Sequence, residues 1–142
     1  MARIKIELPS QFIYQTEIPV RITDLNYGGH MGNDVLLSML HEARMQWFAS
    51  LGYPSEVAIE GVGVIMTDAA LVYKAETFYG ETLQIHLALT DFNKYGFDVV
   101  YKIMGKQSAK EIAHAKTGLV FFDYSARKIS PIPPPFLQKV KD

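Results

Sequence analysis

One helical segment constrains the fold more than any other feature, because most of its surface is apolar. The pattern predicts a helix from about Asp34 to Ser50, with Asn33 or Asp34 as N-cap and Gly52 beyond the C-terminus. Its apolar side chains cover well over half of the circumference: Val35, Leu36, Leu37, Met39, Leu40, Ala43, Trp47, Phe48 and Leu51. A helix of this kind is surrounded by a core. Arg44 falls inside the apolar arc and needs a buried acceptor or must extend to solvent.

Five segments rich in β-branched and aromatic residues surround this helix in the chain. One strand is predicted before it, over Phe12–Ile22, and four after it: about Val62–Glu76, Glu81–Phe92, Phe97–Gly105 and Glu111–Tyr124. Short connections between the later strands imply antiparallel pairing. The sequence therefore predicts an α+β fold in which a long antiparallel sheet wraps around one central apolar helix. The outer face of such a sheet favours a homodimer or homotetramer.

Composition excludes several classes of function. The 142 residues are expected to form one domain over 1–142, and a net charge of -1 gives no support for nucleic-acid binding. The absence of cysteine removes thiol nucleophiles and thiolate metal sites. No apolar run approaches the ~20 residues that span a bilayer, and no signal-peptide pattern opens the chain, so a cytoplasmic protein without a membrane partner is expected.

Motifs for metal or serine chemistry are also missing. His41, His86 and His114 have no metal-ligand spacing, and nothing matches G-x-S-x-G. The sequence predicts no metal and no redox cofactor.

The segment Asp24–Asn33, here called the crossing segment, joins the first strand to the helix and concentrates the polar chemistry. Its sequence is Asp-Leu-Asn-Tyr-Gly-Gly-His-Met-Gly-Asn. It combines a carboxylate, an amide and an imidazole with the backbone N–H groups of a helix start, which is equipment for polarising a carbonyl and activating water. The alternative is a turn in which glycine relieves strain and Asp and Asn cap locally.

Four motifs in this order resemble the hot-dog fold, specifically the 4-hydroxybenzoyl-CoA thioesterase-like branch of acyl-CoA thioesterases. The crossing segment is similar to the family pattern D-x-D-x-x-G-H-x-x-N, and Glu42-Ala43-Arg44 follows it on the helix. Tyr79–Leu83 resembles the Gly-Asp-x-Leu start of a family strand, and Ala115–Asp123 resembles the last family strand. The resemblance implies hydrolysis of an acyl thioester by water, with CoA only as part of the substrate.

One position departs from the family pattern. Asn26 replaces the second acidic residue, and an amide cannot take a proton near neutral pH. Glu42 is the first candidate for the base, because partial burial on the helix would raise its pKa. His30 is the second, with Asp24 orienting it or neutralising Arg44. The structural alternative for Glu42 is an ion pair with Arg44, His41 or a cation of a partner subunit, and that for His30 is a hydrogen bond to the backbone.

The remaining candidates concern the substrate. Asn26 is expected to position water or the acyl carbonyl. Backbone amides of the crossing segment are the predicted oxyanion donors: Gly29, Met31, Gly32 and Asn33. Three cations in predicted turns are the candidates for binding CoA phosphates: Lys94, Arg127 and Lys128.

Two other functions fit the same residues. An (R)-specific enoyl-thioester hydratase of this fold carries D-x-N-P-x-H, which Asp24, Asn26 and His30 match in part, although the proline is missing and the histidine is one residue late. A non-catalytic acyl-thioester-binding module would also explain Asn26.

Overall fold

A computed structural model describes residues 3–141 as a long antiparallel sheet packed on a central helix. The helices are α1 (Val35–Ser50) and α2 (Pro134–Lys141). The strands are β1 (Tyr14–Pro19), β2 (Gly63–Tyr73), β3 (Thr82–Thr90), β4 (Gly96–Gly105), β5 (Glu111–Asp123) and β6 (Lys128–Ile129). The predicted helix and five strands are confirmed, each strand with slightly different ends.

The sheet has the order β1-β3-β4-β5-β2, with β6 added to β5, and every pairing is antiparallel. β1 and β2 are therefore the two edges of the main path. The alternate residues Leu83, Ile85 and Leu87 of β3 are fully buried, which places one face of the sheet against α1.

The helix is buried as its apolar pattern predicts. Leu36, Leu40 and Phe48 have no exposed surface, whereas the polar arc at Ser38, His41 and Glu42 is exposed. Among residues 3–141, no helix is long and apolar enough to cross a membrane.

The end of the chain is more ordered than the sequence indicated. The sequence suggests at most a helical turn after Pro135, but α2 has eight residues and buries Phe136 completely. The Phe136 ring stacks on Phe97 with 5.8 Å between centroids and meets Phe121 edge-on at 5.2 Å. This contact closes the core near the C-terminal end of α1.

Candidate active site

Asp24 is the buried carboxylate of the crossing segment, with only 3% of its surface exposed. Both of its oxygens accept hydrogen bonds from Arg21: Nη2 to Oδ1 at 2.9 Å, Nε to Oδ2 at 3.1 Å, and the backbone N–H to Oδ2 at 2.7 Å. The predicted contact of Asp24 with His30 or Arg44 is wrong. The sequence prediction continued β1 to Ile22, whereas a short 3-10 turn over Ile22–Asp24 folds the carboxylate back onto Arg21.

This arrangement gives a pH-dependent contribution to stability. The hydrogen bonds from Arg21 hold the pKa of Asp24 below its ordinary value. Stabilisation by Asp24 is therefore complete above the unfolded-state pKa of about 3.9 and is lost as the pH falls through the lower folded-state pKa. We expect Asp24→Asn to lower the urea midpoint at pH 7 and the difference from the parent to shrink towards pH 3. An unchanged difference across this range would contradict the assignment.

His30 lies at the edge of a cleft of about 360 Å³, called the His30 cleft, which is also lined by Met31, Gly32, Asn33, Tyr73, Lys74, Ala75, Glu76, Thr77 and Ile112. Its Nδ1 is 3.1 Å from the carbonyl oxygen of Met31. A carbonyl only accepts, so Nδ1 carries the proton of the neutral ring and Nε2 keeps a free lone pair. Nε2 is 3.8 Å from Oε1 of Glu76. The ring is thus held by the backbone, as the structural alternative for His30 predicts, and its basic nitrogen points towards a different carboxylate.

Three of the four predicted oxyanion donors are already used within the fold. The N–H groups of Gly29, Met31 and Gly32 donate to the carbonyls of Asn26, Thr77 and Asp24 at 3.1, 2.8 and 3.0 Å. The prediction that these three amides bind an oxyanion is therefore wrong for this conformation. These amides already donate hydrogen bonds to backbone carbonyls that stabilise the crossing segment, so they are not free to bind a ligand.

Asn33 is the exception among the predicted donors. Within residues 3–141 its N–H has no acceptor, and neither has that of Asp34. The Asn33 carbonyl accepts a hydrogen bond from the hydroxyl of Tyr73, which fixes this peptide at the wall of the His30 cleft. Of these two residues only Asn33 lines the His30 cleft, so its N–H is the amide donor available to a ligand there.

Asn26 has a structural role in the crossing segment. Its Oδ1 accepts the N–H of Gly28 at 2.8 Å, and its own N–H donates to the carbonyl of His30 at 2.9 Å. These two bonds close a tight turn, which is the structural alternative that the sequence offered for the crossing segment. An aspartate could form the same Oδ1 bond, so this geometry explains the loop without explaining why the residue is an amide.

Glu42 lies in a separate cleft of similar size, here called the Glu42 cleft, whose lining includes Glu17, Arg21, Met39 and Gln46 and shares no residue with the His30 cleft. The expectation of partial burial is not met, since Glu42 is exposed. Its Oε2 accepts a hydrogen bond of 2.9 Å from Nε2 of Gln46. Glu42 and His30 therefore do not meet in one site of the chain.

The ion pairs suggested for Glu42 belong instead to Glu56. Arg44 Nε lies 3.0 Å from Oε2 of Glu56, and His41 Nε2 lies 2.8 Å from Oε1 of the same side chain. Arg44 also donates from Nη1 to the hydroxyl of Tyr101 at 3.2 Å. The buried acceptor that Arg44 required is thereby confirmed, and its main partner comes from the connection after α1.

The three predicted phosphate-binding cations lie far from the crossing segment of the same chain. Tyr73, beside Asn33, pairs with Ala113 of β5, whereas Lys128 pairs with Asp123 ten residues further along that strand. At the rise of a β-strand this is about 33 Å. Arg127 precedes Lys128, and Lys94 lies beside Tyr95 at the same end of the sheet, its Nζ 5.5 Å from the ring centroid. The structure thus separates all three from a thioester bound at the crossing segment of the same chain.

Other polar residues, which the sequence analysis missed, lie beside the crossing segment. Lys74 lines the His30 cleft, and Lys110 lines the neighbouring cleft that contains Tyr79. Thr77 lines both clefts, and its hydroxyl is buried without a hydrogen-bond partner among residues 3–141. The only sequence signal for this region was the Tyr79–Leu83 motif, which marks the start of β3 but not what precedes it.

A central helix wrapped by one long antiparallel sheet defines the hot-dog fold. A sequence model of the thioesterase-like superfamily matches residues 20–140, and the chain belongs to this superfamily. The predictions of the hot-dog fold and of a thioesterase of this family are thereby confirmed.

Individual relatives agree with this family. A protein of Aquifex aeolicus provisionally named an esterase is 28% identical over 132 residues, which are 92% of this chain and 98% of the relative. A 1,4-dihydroxy-2-naphthoyl-CoA thioesterase from Synechocystis superposes with a TM-score of 0.81 at 25% identity, over 91% of this chain and 96% of that one. A hypothetical protein from Staphylococcus aureus in complex with CoA has the same fold, with a TM-score of 0.81 at 10% identity over 96% and 86% of the two chains.

Proposed function

We propose that this protein is an acyl-CoA thioesterase whose reaction takes place in the His30 cleft. One observation carries the proposal: the Nδ1 bond to Met31 leaves the Nε2 lone pair of His30 available in a cleft that is also lined by Asn33, whose N–H has no acceptor among residues 3–141. A base and an electrophilic donor are therefore available in one cleft. The CoA thioester named for the Synechocystis structure supports CoA as the thiol carrier.

The proposed reaction needs only groups of the chain. His30 Nε2 removes a proton from water, and the water oxygen attacks the thioester carbonyl carbon. The N–H of Asn33 stabilises the oxyanion. The C–S bond then breaks, and the imidazolium returns its proton to the departing thiolate, which gives CoA thiol and a free acid. Lys74, at the lining of the same cleft, is placed to attract the CoA phosphates.

The Glu42 alternative places the base in the other cleft. Glu42 is a carboxylate exposed to solvent, and Arg21 of the same cleft supplies a nearby cation. The cleft does not contain the free amides at the start of α1, since its α1 residues are Ser38, Met39, Glu42 and Gln46. We therefore place His30 ahead of Glu42, which reverses the order taken from the sequence.

The hydratase alternative loses its main support. That activity would use Asp24 and His30 together, but Asp24 is held by Arg21 and His30 faces Glu76. Binding without turnover is the other outcome that an experiment can distinguish.

Thiol release from a panel of alkyl- and aryl-CoA substrates tests the proposal. We expect free thiol and free acid in equal amounts from at least one substrate class. Formation of a 3-hydroxyacyl thioester from an enoyl-CoA would identify a hydratase. Tight binding of acyl-CoA with no thiol released from any substrate would identify a binding module.

The same proposal includes a homo-oligomer located in the cytoplasm. An exposed edge supports the oligomer: β2 carries Met66 and Tyr73, each with more than two fifths of its surface accessible.

A further inference from the structure

We propose that Glu76 is a second catalytic residue, which holds the attacking water together with His30; this rests on the proposed thioesterase function. Glu76 leaves the end of β2 and reaches the His30 cleft, where its Oε1 is 3.8 Å from His30 Nε2. Among residues 3–141 it has no other ion-pair partner. Neither the family pattern nor the sequence motifs assign it a role.

The backbone fixes the position of Glu76. Lys74 and Ala75 both donate their N–H groups to the carbonyl of Ile112, which ends the pairing of β2 with β5. Two residues later, the Thr77 carbonyl accepts the N–H of Met31 at 2.8 Å. The backbone at Glu76 is therefore held between a sheet contact and a crossing-segment contact, and the side chain, 64% of whose surface is exposed, faces the imidazole.

The distance between the two groups suits one bridging water. A separation of 3.8 Å is too long for a direct hydrogen bond between Nε2 and Oε1. One water with two hydrogen bonds of about 2.8 Å reaches both atoms. Both atoms are acceptors while His30 is neutral and Glu76 is ionised, so the water donates one hydrogen to each. Its oxygen lone pairs then stay free to attack the thioester carbonyl.

The same geometry serves the proton transfer. When Nε2 takes one proton of the water, the imidazolium forms next to the Glu76 carboxylate, and the opposite charges stabilise it. The remaining oxygen adds to the carbonyl carbon. The Nε2 proton later goes to the departing thiolate, so His30 and Glu76 end in their starting states.

Kinetics of Glu76 variants test this role. We expect Glu76→Gln to lower kcat for thiol release by up to about 100-fold with little change in KM, because the water loses its orientation while the binding surface stays. Glu76→Ala should recover part of its kcat on addition of formate, whose carboxylate can enter the vacated space. Glu7→Gln is the matched control, since it makes the same charge change in a cleft that shares no lining residue with the His30 cleft.

The outcomes separate the two proposals. If the parent protein releases thiol and both Glu76 variants match it in kcat, the role of Glu76 is overturned while the thioesterase function stands. If Glu76→Gln changes KM alone, Glu76 contacts the substrate but does not hold the water, and the inference is again wrong. If the parent releases no thiol from any acyl-CoA, both proposals fail together.

Discussion

Replacing His30 by asparagine is expected to reduce kcat for thioester hydrolysis by roughly 10²- to 10⁴-fold, the usual loss when a general base is removed. The amide nitrogen of asparagine occupies the place of Nδ1 and can still donate to the carbonyl of Met31. The substitution therefore preserves the loop and removes only the Nε2 lone pair. Steady-state thiol release measures the effect, and KM should stay close to that of the parent.

Glu42→Gln is the opposing test of the first-ranked sequence candidate. A loss of kcat in Glu42→Gln, together with normal turnover in His30→Asn, would move the base to the Glu42 cleft. Circular dichroism and binding of a non-hydrolysable acyl-CoA thioether show that each variant is folded and binds ligand. With those controls, the two variants distinguish the clefts directly.

Replacing Glu56 by alanine is expected to lower the free energy of unfolding by about 3–5 kcal/mol, the typical cost of leaving a buried charge without its partner. Arg44 is buried on α1, and Glu56 is its carboxylate partner at 3.0 Å. The other contact of Arg44 is the neutral hydroxyl of Tyr101, and burial raises the pKa of this hydroxyl. Urea denaturation of parent and variant measures the change.

The double variant Arg44→Met, Glu56→Leu is the control for this prediction. Replacing a buried ion pair by apolar side chains is often close to neutral, so most of the lost stability should return. If Glu56→Ala costs less than 1 kcal/mol, the pair does not provide the neutralisation that its geometry implies.

Local periodicity was sufficient to predict the fold. The apolar arc of α1 and the β-branched runs depend on neighbours within one segment, and short connections left antiparallel pairing as the natural arrangement. Two elements were not predicted: the two-residue strand β6, expected as a turn, and the full length of α2, expected as at most a helical turn. The prolines at the start of α2 do not prevent the helix, because proline is well tolerated in the first turn, and Phe136 provides the core contact that stabilises it.

The site was only partly predictable, because its contacts are between residues distant in the sequence. The crossing segment, and the helix α1 that follows it, were recognisable from the order and spacing of their residues in the sequence. That Glu76 would face His30 depends on a backbone bond between Met31 and Thr77, 46 residues apart by their numbers. Likewise, no local pattern indicated that Glu56, rather than Glu42, would accept the hydrogen bond from Arg44.

The polar contacts of Arg44 also determine how α1 is rotated within the sheet. If only apolar side chains of α1 touched the sheet, a rotated or shifted helix would cost little free energy, because it would still bury apolar surface against apolar surface. The guanidinium meets Tyr101 of β4, whose hydroxyl in turn bonds Thr117 of β5 at 2.6 Å. Turning α1 by one residue would break this connection and leave a charge in the core. The contact of Arg44 with Tyr101 therefore fixes the rotation of α1 about its own axis, and with it the position of Asn33 in the lining of the His30 cleft.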